Sequence, residues 1–243
     1  MNALLHIMLS HADPAQVPGL ARFFKTGPGQ YGEGDVFLGI KVPVTREVVK
    51  ACWRNVSPEQ LEECMASEYH EVRLAALLTL VAIFSQPAKW NAAGNCASGT
   101  VQQYCIDFYL SHTERINNWD LVDLSCYPLL GQWLLPQKDR SLLYHLARDG
   151  RTLWEQRMGI VSTMTFVRHG QLSDTFAISD MLLHHPHDLI HKAVGWLLRE
   201  AGKRDPEALK TFLTPRIPTM PRIMLRYAIE KFPPEERAKY LKM

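Results

Sequence analysis

Trp119 and Asp123 stand four residues apart in Asn117-Asn118-Trp119-Asp120-Leu121-Val122-Asp123. On a helix that spacing stacks an indole and a carboxylate on one face, a turn apart. Together they offer a flat π-surface and a fixed negative charge to one incoming group, which suits a planar cation. The plainer alternative is a core indole beside a surface charge. Other candidates carry less chemistry. His187 and His191 have the i, i+4 spacing of a zinc helix, with His184 and His185 nearby. The acid between them is Asp188 where a zinc protease uses Glu, and no third ligand is evident, so this stretch reads as a helix start without metal. The glycine run from Thr26 to Asp35 lacks the GxxxxGK[ST] arrangement and is not a nucleotide phosphate loop. Cys126, three residues after Asp123, reads as an interior thiol rather than a nucleophile.

Composition narrows the classes. The chain has 243 residues, 47% hydrophobic and 21% charged, ordinary for a globular protein able to bury a sizeable core. No apolar run approaches the roughly 20 residues that span a bilayer, and the first residues lack the basic start of a secretory signal. Five cysteines without a CxxC pair fit free thiols in a reducing cytoplasm. Charge is uneven: residues 1–139 carry 10 Lys/Arg against 14 Asp/Glu, and residues 140–243 carry 17 against 11. The C-terminal half is the one suited to a polyanion.

The elements that position these residues read as helices throughout, with no alternating strand. Helices are expected over 3–10, 14–24, 45–55 after Pro43, and 58–66, the last opened by a Ser57/Gln60 capping box. An apolar central helix is expected over 71–84, and an exposed loop over 85–98. Further helices follow over 100–115, 119–134, 140–148, 151–168, 175–183, 188–202, 206–213, 220–232 and 235–242. Short connections make neighbours antiparallel.

A period runs through them. Asp123, Arg157, Lys192 and Arg226 are separated by 34, 35 and 34 residues, each within an apolar helical stretch, and Arg73 in Val72-Arg73-Leu74 resembles an earlier member. Such a period indicates helix-pair repeats, shorter than HEAT units of roughly 40–47 residues. Stacking would set these residues in a row on a curved surface, where one cation per repeat suits a sugar-phosphate backbone and Asp123 interrupts the row. Equivalent Arg or Asp residues can instead bond neighbouring repeats.

Four elements coincide: Phe37-Leu38-Gly39-Ile40-Lys41-Val42-Pro43, Trp119-x-x-x-Asp123, Trp154-x-x-Arg157, and Lys192-Ala193-Val194-Gly195-Trp196-Leu197-Leu198-Arg199-Glu200. Together, from about Lys25 to about Lys203, they make the chain similar to the bacterial AlkD-like DNA glycosylases, the HEAT-like-repeat enzymes of DNA alkylation repair. The resemblance implies one all-α domain over residues 1–243, a C-shaped solenoid of antiparallel helix pairs gripping duplex DNA in a basic concave groove. It implies release of cationic N3- and N7-alkylated purines while the lesion stays largely stacked. Asp123 would be the catalytic carboxylate, Trp119 and Trp196 the aromatic walls, Arg157 a groove residue and Arg199 a backbone contact. The periodic row adds Lys192 and Arg226 as DNA-binding candidates, and Lys41, Arg46 and Tyr31 are phosphate candidates near the N-terminal lobe. Trp154 is read as packing between repeats. The expected protein is a monomeric, monofunctional hydrolase with duplex DNA as partner and no metal, nucleotide cofactor or membrane. The runner-up is a non-catalytic HEAT-like protein binding branched or damaged DNA, and a protein-interaction solenoid comes third.

Overall fold

The computed structural model describes residues 2–92 and 99–243; Cys96 and most of the second half of the loop expected over 85–98 lie outside them. Among the described residues the chain is all-α, apart from one isolated bridge between Val36 and Tyr69. It divides into two compact units, Met1–Ser125 and Cys126–Met243.

The first unit holds α1 (Ala3–Ser10), α2 (Val17–Phe23), α3 (Val42–Cys52), α4 (Pro58–Met65), α5 (His70–Ser85), α6 (Val101–Ser111) and α7 (Trp119–Cys126). Helix α5 is its axis, with α1, α3, α4 and α6 packed against it. Every residue from His70 to Leu80 is buried, which is why its sequence is apolar on all faces rather than on one stripe. The Ser57/Gln60 capping box forms as expected: Gln60 N donates to Ser57 Oγ (3.4 Å), and Ser57 N donates to Gln60 Oε1 (2.9 Å). Helix α2 buries none of its residues.

The second unit holds α8 (Gln132–Leu134), α9 (Ser141–Asp149), α10 (Leu153–Val161), α11 (Met164–Arg168), α12 (Ser173–Met181), α13 (Asp188–Arg204), α14 (Pro206–Leu213), α15 (Arg222–Ala228) and α16 (Pro234–Lys242). Helices α10, α13 and α15 pack in succession, with α9 against α10 and α14 against α13. Gly195 allows the closest approach of α13 to α15, because a Cβ there would lie 2.6 Å from the Met224 carbonyl oxygen.

Two long helices expected from the sequence are broken. The stretch 119–134 is α7, a five-residue π turn over Tyr127–Gly131, and then α8. Pro128 has no N–H to donate, so the i→i−4 ladder cannot pass through it unchanged. The stretch 151–168 divides into α10 and α11 at Ser162-Thr163, where Thr163 Oγ1 donates to the Ile160 carbonyl (2.7 Å) and competes with the helical bond. The period survives. Asp123, Arg157, Lys192 and Arg226 are each the fifth residue of their helices, α7, α10, α13 and α15.

Candidate active site

Helix α7 starts where Asn118 caps it: its side-chain oxygen accepts from Trp119 N (2.9 Å), and its carbonyl accepts from Val122 N (3.2 Å). From that start Trp119 and Asp123 project one turn apart, both half-buried. With Asp120 and Leu124 they line a pocket of about 400 Å³, completed by Leu20 and Phe23 of α2, Phe24, Phe37, Ile40, Lys41 to Pro43, and His70, Glu71 and Leu74 of α5. All fifteen lining residues belong to the first unit. The lining is mostly aromatic and aliphatic carbon, in which a charge on Asp123 acts with little competition from solvent.

The aromatic rings form a continuous stack. Trp119 lies on Phe24 (centroids 5.4 Å, 23°), Phe24 on Phe37 (5.1 Å, 18°), and Phe37 on the His70 imidazole (4.7 Å, 26°). Phe23 meets Trp119 edge-on at 5.7 Å and remains 60% exposed. The loop carrying Phe37 is held by Glu71, whose carboxylate accepts from the backbone N–H groups of Leu38 (2.9 Å), Gly39 (2.9 Å) and Ile40 (3.0 Å). Three converging amides require a backbone turn, and Gly39 supplies it with φ +90°.

Behind the rings sits a buried polar cluster. His70 Nδ1 lies 3.0 Å from Asp35 Oδ2, and His70 Nε2 lies 2.9 Å from Asp120 Oδ2. Asp35 also accepts from Arg73 Nη2, Asn117 Nδ2 (3.1 Å) and Asn118 Nδ2 (3.1 Å). Burial alone would pull the His70 pKa down, but hydrogen bonds to Asp120 and Asp35, and then their charges, outweigh it and raise it to about 9. Burial pushes Asp35 up, yet the bond to and charge of His70, the charge of Arg73 and the Asn118 bond hold its carboxyl at about 2.

The sequence-predicted residues fare differently. Trp119, Asp123 and Lys41 share the pocket, Lys41 as the exposed residue before α3. Tyr31 is half-buried in the turn 26–35, and Arg46 is exposed on α3. In the second unit, Trp196 and Lys192 are half-buried on α13 and Arg226 is exposed on α15. Arg199 is paired with Glu200 and Glu230. The uniform basic row is not found. Arg73 is buried in the Asp35 cluster and also donates to the carbonyls of Ser67 (3.0 Å) and Glu68 (2.8 Å). Arg157, expected in the groove, is 5% exposed and donates through Nη1 to the Leu189 carbonyl, so it ties α10 to the start of α13. Trp154 is buried on α10 as a packing residue. His187 Nδ1 accepts from Leu189 N (3.1 Å) and His191 Nε2 bonds the His185 carbonyl, so both serve the helix start. His70, Asp35, Phe24 and the role of Glu71 had no local sequence signal, because their partners lie far away in the chain.

A family model for the DNA alkylation repair enzyme matches residues 4–232. The chain belongs to the DNA alkylation repair enzyme family. Its fold is shared with the solved structure of a predicted DNA alkylation repair enzyme from Enterococcus faecalis, at 13% identity and a TM-score of 0.69, over 92% of this chain and 97% of that one. No curated protein matches the sequence. Among the described residues no helix is long and apolar enough to cross a membrane.

Proposed function

We propose that the protein is a monofunctional DNA glycosylase that releases cationic N3- and N7-alkylated purines from duplex DNA. The observation that carries the reading is the placement of Asp123 and Trp119 on one wall of an aromatic pocket. An alkylated purine bearing positive charge is already a good leaving group, so no general acid is needed. The C1′–N bond breaks with both electrons passing to the base, which departs neutral. The sugar is left oxocarbenium-like, as in glycoside hydrolysis. Asp123 stabilises that cation and orients the water that adds to C1′, with the water's proton passing to the carboxylate or to solvent. Trp119 contributes cation–π attraction, and Trp196 is assigned a second aromatic wall by the same reading. Lys41, Lys192, Arg199 and Arg226 are assigned to the phosphate backbone, as is Tyr31. The monofunctional assignment follows the resemblance to the AlkD-like glycosylases, and Lys41, which shares the pocket with Asp123, is assigned to phosphate rather than to a Schiff base.

The test is release of free 3-methyladenine and 7-methylguanine from methylated duplex DNA, followed by chromatography. Asp123→Asn should bind the duplex as the parent does and excise about 10²–10³-fold more slowly, the usual effect of removing a pre-organised electrostatic partner. Binding without release by the parent protein would transfer the reading to a non-catalytic binder of damaged DNA.

A further inference from the structure

We propose that His70 is a positioning residue that fixes α7, and with it Trp119 and Asp123, by bridging Asp35 to Asp120. The proposal rests on the glycosylase reading for what α7 does, but not for how α7 is held. Asp120 is the second residue of α7, directly after Trp119 and three before Asp123. Its Oδ2 reaches His70 Nε2 at 2.9 Å, and both side chains are almost fully buried, at 5% and 1% exposure.

The other imidazole nitrogen reaches Asp35 Oδ2 at 3.0 Å, and Asp35 is in turn bonded to Asn118, the cap of α7. The start of α7 is therefore held at two points, Asn118 and the Asp120 carboxylate, and both lines of bonding meet at Asp35, the first directly and the second by way of His70. Carboxylates only accept, so an imidazole bridging two of them donates from both nitrogens and is doubly protonated. The raised pKa of His70 agrees with that geometry.

Charged groups near the ring come from three elements: Asp35 from the turn 26–35, Asp120 and, in the same pocket, Asp123 from α7, and Arg73 one turn along α5, which donates to Asp35 and to Asn117 Oδ1 (3.0 Å). Glu71 is next to His70 in the chain but spends its carboxylate on the amides of residues 38–40. The imidazole face also ends the Trp119–Phe24–Phe37 stack. His70 thus restrains Trp119 twice, through the polar start of its helix and through the stacked rings. His70 and Asp120 also line the pocket, but both imidazole nitrogens are taken up by the two carboxylates, so the role is positioning rather than catalysis.

The experiment uses the full chain with His70→Gln and Asp120→Asn. Glutamine carries both its donors on one nitrogen and presents an oxygen in the other place, so it cannot donate to the two carboxylates from two positions as the ring does; asparagine at 120 keeps the volume and an acceptor for Nε2. The first readout is the 19F resonance of Trp119 in protein labelled with 5-fluorotryptophan, identified by its loss in Trp119→Phe. The second is the single-turnover excision rate at saturating protein, beside the affinity for the same duplex.

His70→Gln should shift or broaden the Trp119 resonance and slow excision about 10- to 100-fold, the scale of a misplacement of roughly 1 Å. Affinity should stay within about twofold, and Asp120→Asn should show a smaller change of the same kind. An unchanged Trp119 resonance with an unchanged rate overturns the proposal, as does an equal loss of rate and affinity that follows thermal stability alone. If His70→Gln does not fold, Asp120→Asn decides on the same readouts. If the parent protein excises nothing, the glycosylase reading fails while the 19F comparison still judges the role of His70.

Discussion

Asp35 and His70 set opposite pH limits on the same buried cluster. His70 has its pKa raised from 6.5 to about 9 in the folded chain, so its contribution to stability is complete below pH 6.5 and is lost as pH rises through 9. Asp35 is lowered from 3.8 to about 2, so its contribution is complete above pH 3.8 and is lost as pH falls through 2. The cluster is therefore at full strength between about pH 4 and 6.5. At about 1.4 kcal/mol for each tenfold change in proton affinity, the alkaline loss is roughly 3 kcal/mol. For a chain of this size that is a fall in Tm of very roughly 6–12 °C between pH 6.5 and 9.5. Thermal unfolding across that range should show the fall in the parent protein, and His70→Gln should flatten it. A parent curve that matches the variant would mean that His70 carries no charge in the folded state. Residue chemistry was legible only where it was local. Trp119 and Asp123 declare themselves by a spacing of four, whereas His70 meets its two partners across 35 and 50 positions, and no pattern in a single sequence reports such pairings.

At the scale of elements, the loop from Phe37 to Lys41 shows why a motif can be visible before its reason is. The glycine in Phe37-Leu38-Gly39-Ile40 was part of the recognisable pattern, yet only the fold explains it. Gly39 sits at φ +90°, and a Cβ there would lie 1.9 Å from the Asp13 carbonyl oxygen. Gly34, at φ +85°, has nothing within 4 Å of the same added atom. Gly34→Ala should therefore cost only the left-handed backbone penalty, about 1–2 kcal/mol. Gly39→Ala adds a backbone clash and loosens the three amides that hold Glu71, so its drop in Tm should be at least about twice as large. Differential scanning calorimetry of the two variants settles it, and equal drops would mean that the loop yields without cost. The equivalence of Asp123, Arg157, Lys192 and Arg226 was legible from the 34–35-residue period, and each is the fifth residue of its helix. The break at Ser162-Thr163 was not legible, since apolar periodicity runs on across it, whereas the break near Tyr127–Gly131 had its signal in Pro128, which the expected helix 119–134 passed over.

Over the whole chain, the family match from residue 4 to 232 takes in both compact units, while the pocket with Trp119 and Asp123 draws on the first alone. What the second unit contributes is suggested by its charge: residues 126–243 carry 18 Lys/Arg against 12 Asp/Glu. Its cations are not equivalent, however. Lys192 is half-buried and Arg226 exposed, whereas Arg157 is buried and bonded to the Leu189 carbonyl. A cation that touches phosphate releases counterions on binding and steepens the dependence of affinity on salt. Removing it flattens the plot of log K against log salt by about one. Lys192→Ala and Arg226→Ala should each do so, with little effect on the saturated excision rate. Arg157→Ala should leave the slope alone and lower Tm instead, since it removes the Nη1 bond to the Leu189 carbonyl and opens a gap between α10 and α13. Slopes measured by fluorescence anisotropy on a short duplex distinguish the two kinds of cation. If Arg157→Ala flattens the slope while Lys192→Ala does not, the phosphate contacts follow the repeat position rather than exposure, and Arg157 must leave its bond to Leu189 when DNA binds.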